Sequence, residues 1–206
     1  MNILFSDGAN IRYYTENEKK PEKHQLYIQF VDGTAIIYTV QMYGCIFVYK
    51  EGENTNFYYQ VAKEKPNPLT HAFNETYFNK ILADTKDTLS AKAFLATEQR
   101  IPGLGNGTLQ DILFNARIHP KTKLKFLTKK EIEILFKCVK KTLFEMAGEG
   151  GRDTEKDLFG EAGGYQTILS KKTVKNPCPI CGGAIERKAY LGGNVYYCPT
   201  CQPFKK

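Results

Sequence analysis

"NPCPICGGAIERKAYLGGNVYYCPTCQPFKK", residues 176–206, holds four of the chain's six cysteines. They fall as Cys178-x2-Cys181 and Cys198-x2-Cys201, with sixteen residues between the pairs. A two-residue gap lets two thiolates from one tight turn reach a single ion. Two such knuckles complete a tetrahedral, four-cysteine zinc site. Gly182 and Gly183 follow the first knuckle, where the chain must turn back without a Cβ clash. Residues 184–190 and 195–198 then read as two short strands, joined at Leu191-Gly192-Gly193-Asn194. A pair of disulfides is the alternative. No secretory signal is recognisable, so a reducing, cytoplasmic setting and one structural zinc are expected.

A closed all-thiolate site leaves no ligand position open for water, so it is structural and holds a stiff hairpin out from the body. Lys175, Arg187, Lys188, Lys205 and Lys206 make that hairpin basic, and Tyr190, Tyr196 and Tyr197 are expected to add flat aromatic surface. Basic groups interleaved with aromatics suit a nucleic acid. A solvated zinc ribbon that contacts a protein is the competing use.

The 206 residues can bury one good core or two modest ones. No apolar run approaches a membrane span, and no membrane partner is expected. The net charge of +7 favours a polyanionic partner. Cys45 and Cys138 lie in apolar, patterned segments and read as buried fillers.

Three regions follow along the chain, and the fold class is α+β. Residues 1–72 are expected to form a partial β-sandwich, with a β pattern to about Lys65. Leu26, Ile28 and Phe30 alternate with polar neighbours, Asp32-Gly33 gives a turn, a strand resumes over 34–40, and 43–49 is a third strand. Residues 73–170 are largely helical as far as Gly148 and loop-like after it. Ile132, Leu135, Phe136, Val139 and Leu143 share one face, with a capping box at Thr128 and Glu131. Residues 171–206 carry the zinc hairpin.

Inside the helical region, "EQRIPGLGNGTLQDILFNARIHP" (98–120) places a glycine-rich turn between a helix over about 89–99 and another over about 108–116. Glycines such as Gly103 and Gly105 allow close approach to a phosphate. Asn106 serves there as either a helix N-cap or a phosphate donor.

Together, G-x-G-N between two helices and the terminal "CPICGGAI … YCPTCQ" resemble the formamidopyrimidine-DNA glycosylase and endonuclease VIII family of base-excision repair enzymes. Residues 23–44 resemble the second half of that family's N-terminal sandwich, so the likeness spans nearly the whole chain. It implies a β-sandwich, a helix–two-turns–helix domain and a zinc hairpin, with double-stranded, damaged or distorted DNA bound across the cleft. It implies that Asn106 grips a phosphate and that Cys178, Cys181, Cys198 and Cys201 hold the zinc. Gln41, Met42 and Tyr43 fall where the family fills the gap left by an everted base. Residues 160–166 lie where it carries a loop over that base.

The departures bear on activity. The family opens Met-Pro-Glu, using the proline amine as nucleophile and the glutamate for proton transfer, whereas this sequence opens Met1-Asn2-Ile3-Leu4. The family's hairpin also carries an arginine after its glycines, where this chain has Gly192-Gly193-Asn194. Asn194 there offers one hydrogen bond but no charged fork, with Lys188 as the nearby cation. The resemblance therefore implies a damaged-DNA-binding member with impaired catalysis. An active glycosylase and lyase, with its amine supplied from upstream or by Met1, is the alternative. A zinc-stabilised protein-interaction module is the third class. Early sandwich strands absent from the sequence would leave edges exposed, so self-association is an expectation as well.

Overall fold

The computed structural model describes residues 1–6, 8–40 and 44–206. Gln41, Met42 and Tyr43, expected as base-gap residues, lie outside the described residues.

Two small antiparallel sheets form the N-terminal part. β1 (Asn2–Phe5) pairs with β5 (Ile46–Tyr49), from Asn2 opposite Tyr49 to Phe5 opposite Ile46. β2 (Ala9–Tyr14), β4 (Ala35–Val40) and β3 (Leu26–Gln29) form the other sheet, with β4 central. The central strand carries this region's buried side chains, Ala35, Ile37 and Tyr38. The Phe5 ring meets the Tyr38 ring at 5.2 Å, tying the two sheets together. At the turn between β3 and β4, the Asp32 carboxylate accepts from both the N–H and hydroxyl of Thr34, so the expected Asp32-Gly33 hairpin forms.

The β pattern does not run to Lys65. α1 (Phe57–Glu64) is a helix, because Asn56 accepts from the N–H groups of Tyr58 and Tyr59 and caps it. A local cap thus overrides the strand propensity of Phe57-Tyr58-Tyr59. Cys45 also departs from expectation: it is exposed, just before β5 begins. Cys138 is half-buried on the flank of the helical core, where burial raises its thiol pKa.

The helices build the main core. α2 (Glu75–Ala83) is capped by Asn74, and α3 (Ala91–Ala96) by Ser90. α3 is shorter than the sequence suggested, because Glu98 and Gln99 take left-handed backbone just after it. α4 (Leu109–Asn115) follows the glycine turn, and a 3-10 turn spans Leu124–Phe126. α5 (Lys129–Gly148) begins with the expected capping box, in which Thr128 and Glu131 exchange backbone and side-chain bonds. Leu135 and Val139 of α5 are fully buried against Phe78, Phe94, Leu109 and Leu113. Each such side chain stabilises by about 1.5–3 kcal/mol, so this cluster is the platform on which the loops are held.

α4 is buried from Leu109 to Phe114 because it is covered on two sides. α3 and α5 pack on one side. On the other lies a second cluster of Phe114, Leu169 and Tyr196 with the cysteines Cys178, Cys198 and Cys201. The terminal hairpin pairs β6 (Glu186–Tyr190) with β7 (Gly193–Tyr197) across a two-residue turn, Leu191 at φ +48° and Gly192 at φ +70°. Both being left-handed, the turn is tighter than the four residues expected, and Asn194 lies within β7. Among the described residues, no helix is long and apolar enough to cross a membrane.

Candidate nucleic-acid interface

The turn between α3 and α4 is anchored from below and bare above. Ile101 and Leu104 are buried in the helical core. A Cβ on Gly103 or Gly105 would meet nothing within 4 Å, and Gly103 has φ +75°. The chain therefore presents naked backbone to solvent, a surface that a polymer can approach closely.

Asn106 stands exposed on this turn and is not a helix cap: Thr108 occupies the cap position and no side chain caps α4. Instead, the Asn106 side-chain amide donates to the main-chain carbonyl of Asn194 at 3.2 Å. A Cβ on Gly193 would lie 3.2 Å from that same amide nitrogen, so the hairpin backbone and the Asn106 side chain are in close contact. Of the two roles open from the sequence, the geometry removes the cap.

A residue that the sequence reading passed over, Gln110, fastens this contact. Its Nε2 donates to the Asn106 carbonyl at 2.8 Å and to the Asn194 carbonyl at 3.1 Å. Its Oε1 accepts from the Tyr196 N–H at 3.0 Å. Gln110 follows Asn106 by four residues and so sits one helical turn above it. That spacing was the available signal.

On the hairpin, Arg187 donates through Nε to the Asn194 Oδ1 at 3.0 Å. The expected Asn194 donor is thus oriented by an arginine from the opposite strand, and its amide nitrogen is left for a ligand. Lys188 is exposed and pairs with Glu186 at 3.6 Å. Tyr196 and Tyr197 do not form the expected aromatic surface. Both are buried, Tyr196 in the cluster beneath α4 and Tyr197 against His119, with ring centroids 4.3 Å apart. Burial, then the hydrogen bond to Glu186, push the Tyr197 hydroxyl up to about 12. Tyr190 lies between two lysines: Lys92 donates to its carbonyl, and the Lys121 ammonium sits 5.0 Å from its ring.

The four cysteine sulfurs lie within 4.8 Å of one another. Cys178 Sγ is 3.8 Å from Cys201 Sγ, and Cys181 Sγ is 3.4 Å from Cys198 Sγ. A tetrahedral ion with sulfur about 2.3 Å away separates its ligands by about 3.8 Å, so the cluster has the size of a four-thiolate metal centre.

The segment after α5 folds back on this assembly. The Asp111 carboxylate on α4 accepts from the N–H groups of Ile168 and Leu169 at 2.9 and 2.8 Å, and burial raises its pKa. The two residues just before the expected 160–166 loop meet the N-terminal sheet: Tyr13 of β2 donates its N–H to the Leu158 carbonyl at 2.8 Å, and its ring meets Phe159.

Comparison with known proteins gives a consistent pattern. Residues 65–156 match the family model of the formamidopyrimidine-DNA glycosylase H2TH domain. The formamidopyrimidine-DNA glycosylase of Listeria monocytogenes is 31% identical, with 94% of this chain and 71% of the relative covered. The protein of the same name from Cytobacillus firmus is 30% identical, with 97% and 73% covered. Among solved structures, the MutM (Fpg) protein of Thermus thermophilus superposes with a TM-score of 0.80 at 24% identity, over 99% of this chain and 76% of that one. The Lactococcus lactis Fpg, in a complex with DNA containing an abasic site, gives 0.78 at 23% identity, over 97% and 74%.

Proposed function

The chain belongs to the formamidopyrimidine-DNA glycosylase family, and on that footing we propose that it grips double-stranded, damaged or distorted DNA across the 103–107 turn and the cysteine hairpin. One observation carries this: bare glycine backbone at Gly103 and Gly105 beside an exposed Asn106 that is fastened to the hairpin. Such a surface matches a phosphate backbone, which needs close approach and fixed donors rather than base-reading side chains. The Lactococcus lactis relative, which shares the fold, is held in its structure with abasic-site DNA. Net charge adds long-range attraction.

The cysteine cluster is assigned one structural zinc, on the fit of its sulfur separations to that ion. The zinc locks the end of β7 to the knuckle before β6, and so keeps Asn194 within reach of Asn106. It takes no part in chemistry, since four thiolates leave no open position. Base removal by this chain is proposed to be impaired. Gly193 carries no side chain, and no arginine fork stands at the hairpin turn to hold an everted nucleotide.

Fluorescence anisotropy on a duplex with an abasic-site analogue tests the grip. Affinity should fall steeply with salt, each neutralised phosphate adding about −0.9 to the log–log slope. Asn106→Ala should weaken all sequences similarly, because phosphate contacts position and do not read bases. Salt-independent affinity, or no loss in the variant, would favour a protein-interaction module instead.

A further inference from the structure

Beside Asn106 lies a cavity of about 240 Å³ that the turn and hairpin alone do not explain. Asn106, Gln110, Arg152, Thr154, Ser170 and Lys171 line it, with Glu155 as the one carboxylate among its lining residues. We propose that this cavity takes a phosphodiester of the DNA backbone and that Arg152 is its principal donor, a second grip next to Asn106. The proposal rests on the DNA reading of the turn.

The placement of Arg152 is specific. A Cβ on Gly107 would lie 2.2 Å from its Nη2 and 2.4 Å from its Nη1. The guanidinium thus occupies the space that any side chain at 107 would need, one residue from Asn106. Glu155 accepts from Nε and Nη2 and fixes the plane of the group. Three of the five guanidinium N–H bonds remain, two on Nη1 and one on Nη2. No other described residue takes them. The Arg152 side chain is 13% exposed while Glu155 is 64% exposed, so the guanidinium is largely covered and its carboxylate partner reaches solvent.

Two further groups ask for an anion. The Thr154 Oγ1 is shut from solvent and has no hydrogen-bond partner, an unsatisfied donor in the cavity wall. Lys171 is exposed and forms no ion pair among the described residues. Among the lining residues one carboxylate stands against two cations and three hydroxyl-bearing side chains, so the lining itself is net positive, with Asp111 and Asp153 behind it also within electrostatic reach of Arg152. A phosphodiester oxygen takes the free Arg152 N–H bonds, with Thr154 free to turn its unpartnered hydroxyl toward it, and a charge-assisted bond to guanidinium is among the stronger hydrogen bonds.

Four proteins should be compared on the abasic-analogue duplex over a range of salt: wild type, Asn106→Ala, Arg152→Gln and Gly107→Val. Zinc content and thermal melting confirm that each is folded. Arg152→Gln should weaken binding by on the order of tenfold and flatten the salt slope by about 0.9. Gly107→Val removes no charge but evicts the guanidinium, and should lower affinity in the same direction. Inorganic phosphate at constant ionic strength should not displace the duplex at millimolar concentration, because it fills only this one contact. Wild-type affinity and slope in Arg152→Gln, with Asn106→Ala impaired, would overturn the proposal and leave the DNA reading intact. Displacement by millimolar phosphate would make the cavity a free-anion site and overturn it too. Absence of salt-dependent binding by the wild type would sink both.

Discussion

Asn106 donates its side-chain amide to the main-chain carbonyl of Asn194 across 3.2 Å, so two motifs 88 residues apart become one surface. The bond uses the hairpin's backbone, not its side chain. Substitution at 194 therefore leaves the link in place, while anything that shifts β7 breaks it. The zinc knuckles and Gln110 are what keep β7 where it is.

Gln110 gives the most direct stability test. Its amide donates to two carbonyls and its oxygen accepts the buried Tyr196 N–H. Gln110→Ala orphans that N–H, at a cost of about 1–3 kcal/mol. In a chain of this size each kcal/mol lowers the Tm by about 2–4 °C. Gln110→Glu should be worse, because a carboxylate offers no donor to the carbonyls of Asn106 and Asn194. Thermal melting of the two variants orders them; a Gln110→Glu protein as stable as wild type contradicts the clamp.

Metal removal should be selective. About one zinc per chain is expected to co-purify, and its loss withdraws on the order of 10 kcal/mol from the hairpin. Hydrogen exchange after strong chelation should rise over 176–206 while α5, whose core contacts are with other helices, stays protected. Zinc-free protein with cysteines paired as disulfides would refute the assignment.

Much of this architecture was legible because its signals are local. The Thr128–Glu131 capping box, the Asp32-Gly33 turn and the cysteine spacing each act within a few residues, and each formed. α1 was missed because its one strong signal, Asn56, precedes Phe57-Tyr58-Tyr59, whose propensity favours strand. Tyr196 and Tyr197 were misjudged for a different reason. An alternating strand ordinarily leaves one face to solvent, but both of these rings are buried, one beneath α4 and one against His119. Arg152 and Gly107 carry no pattern at all: their contact spans the chain fold and exists only in three dimensions.

Acid should loosen the joint between hairpin and helices through His119. Burial, then the nearby Lys121, lower its pKa, while Glu186 opposes them. Its Nδ1 accepts the Lys121 N–H at 3.1 Å, a bond available only to the unprotonated nitrogen. Folding thus favours the neutral ring, and the stability it contributes is fully present above the unfolded value of about 6.5. It is lost as pH falls from there through the lowered folded value. Denaturant midpoints at pH 7.5 and 5.5 should separate in the wild type and draw together in His119→Asn, which keeps an acceptor but does not titrate. An unchanged separation would place the pH dependence elsewhere.

The sharpest expectation concerns covalent chemistry. Trapping on DNA with borohydride requires a Schiff base between a protein amine and an opened sugar, and the amine must be held in place beside an acid–base group. Met1 is 87% exposed at the end of β1, and no carboxylate pairs with its amine among the described residues. Lys92 is the lysine whose pKa burial lowers, a change that favours nucleophilicity. It is 3% exposed, however, with its Nζ on the Tyr190 carbonyl, so a sugar cannot reach it without undoing the hairpin joint. The 206-residue chain should therefore give little crosslink on an oxidised-base duplex. Slow nicking of a pre-formed abasic site is expected from surface amines such as Lys63, so the two duplexes must be compared side by side. Robust borohydride crosslinking on the oxidised-base duplex would show that a competent nucleophile operates within these residues, and the proposal of impaired catalysis would fall while the DNA grip at Asn106 stood.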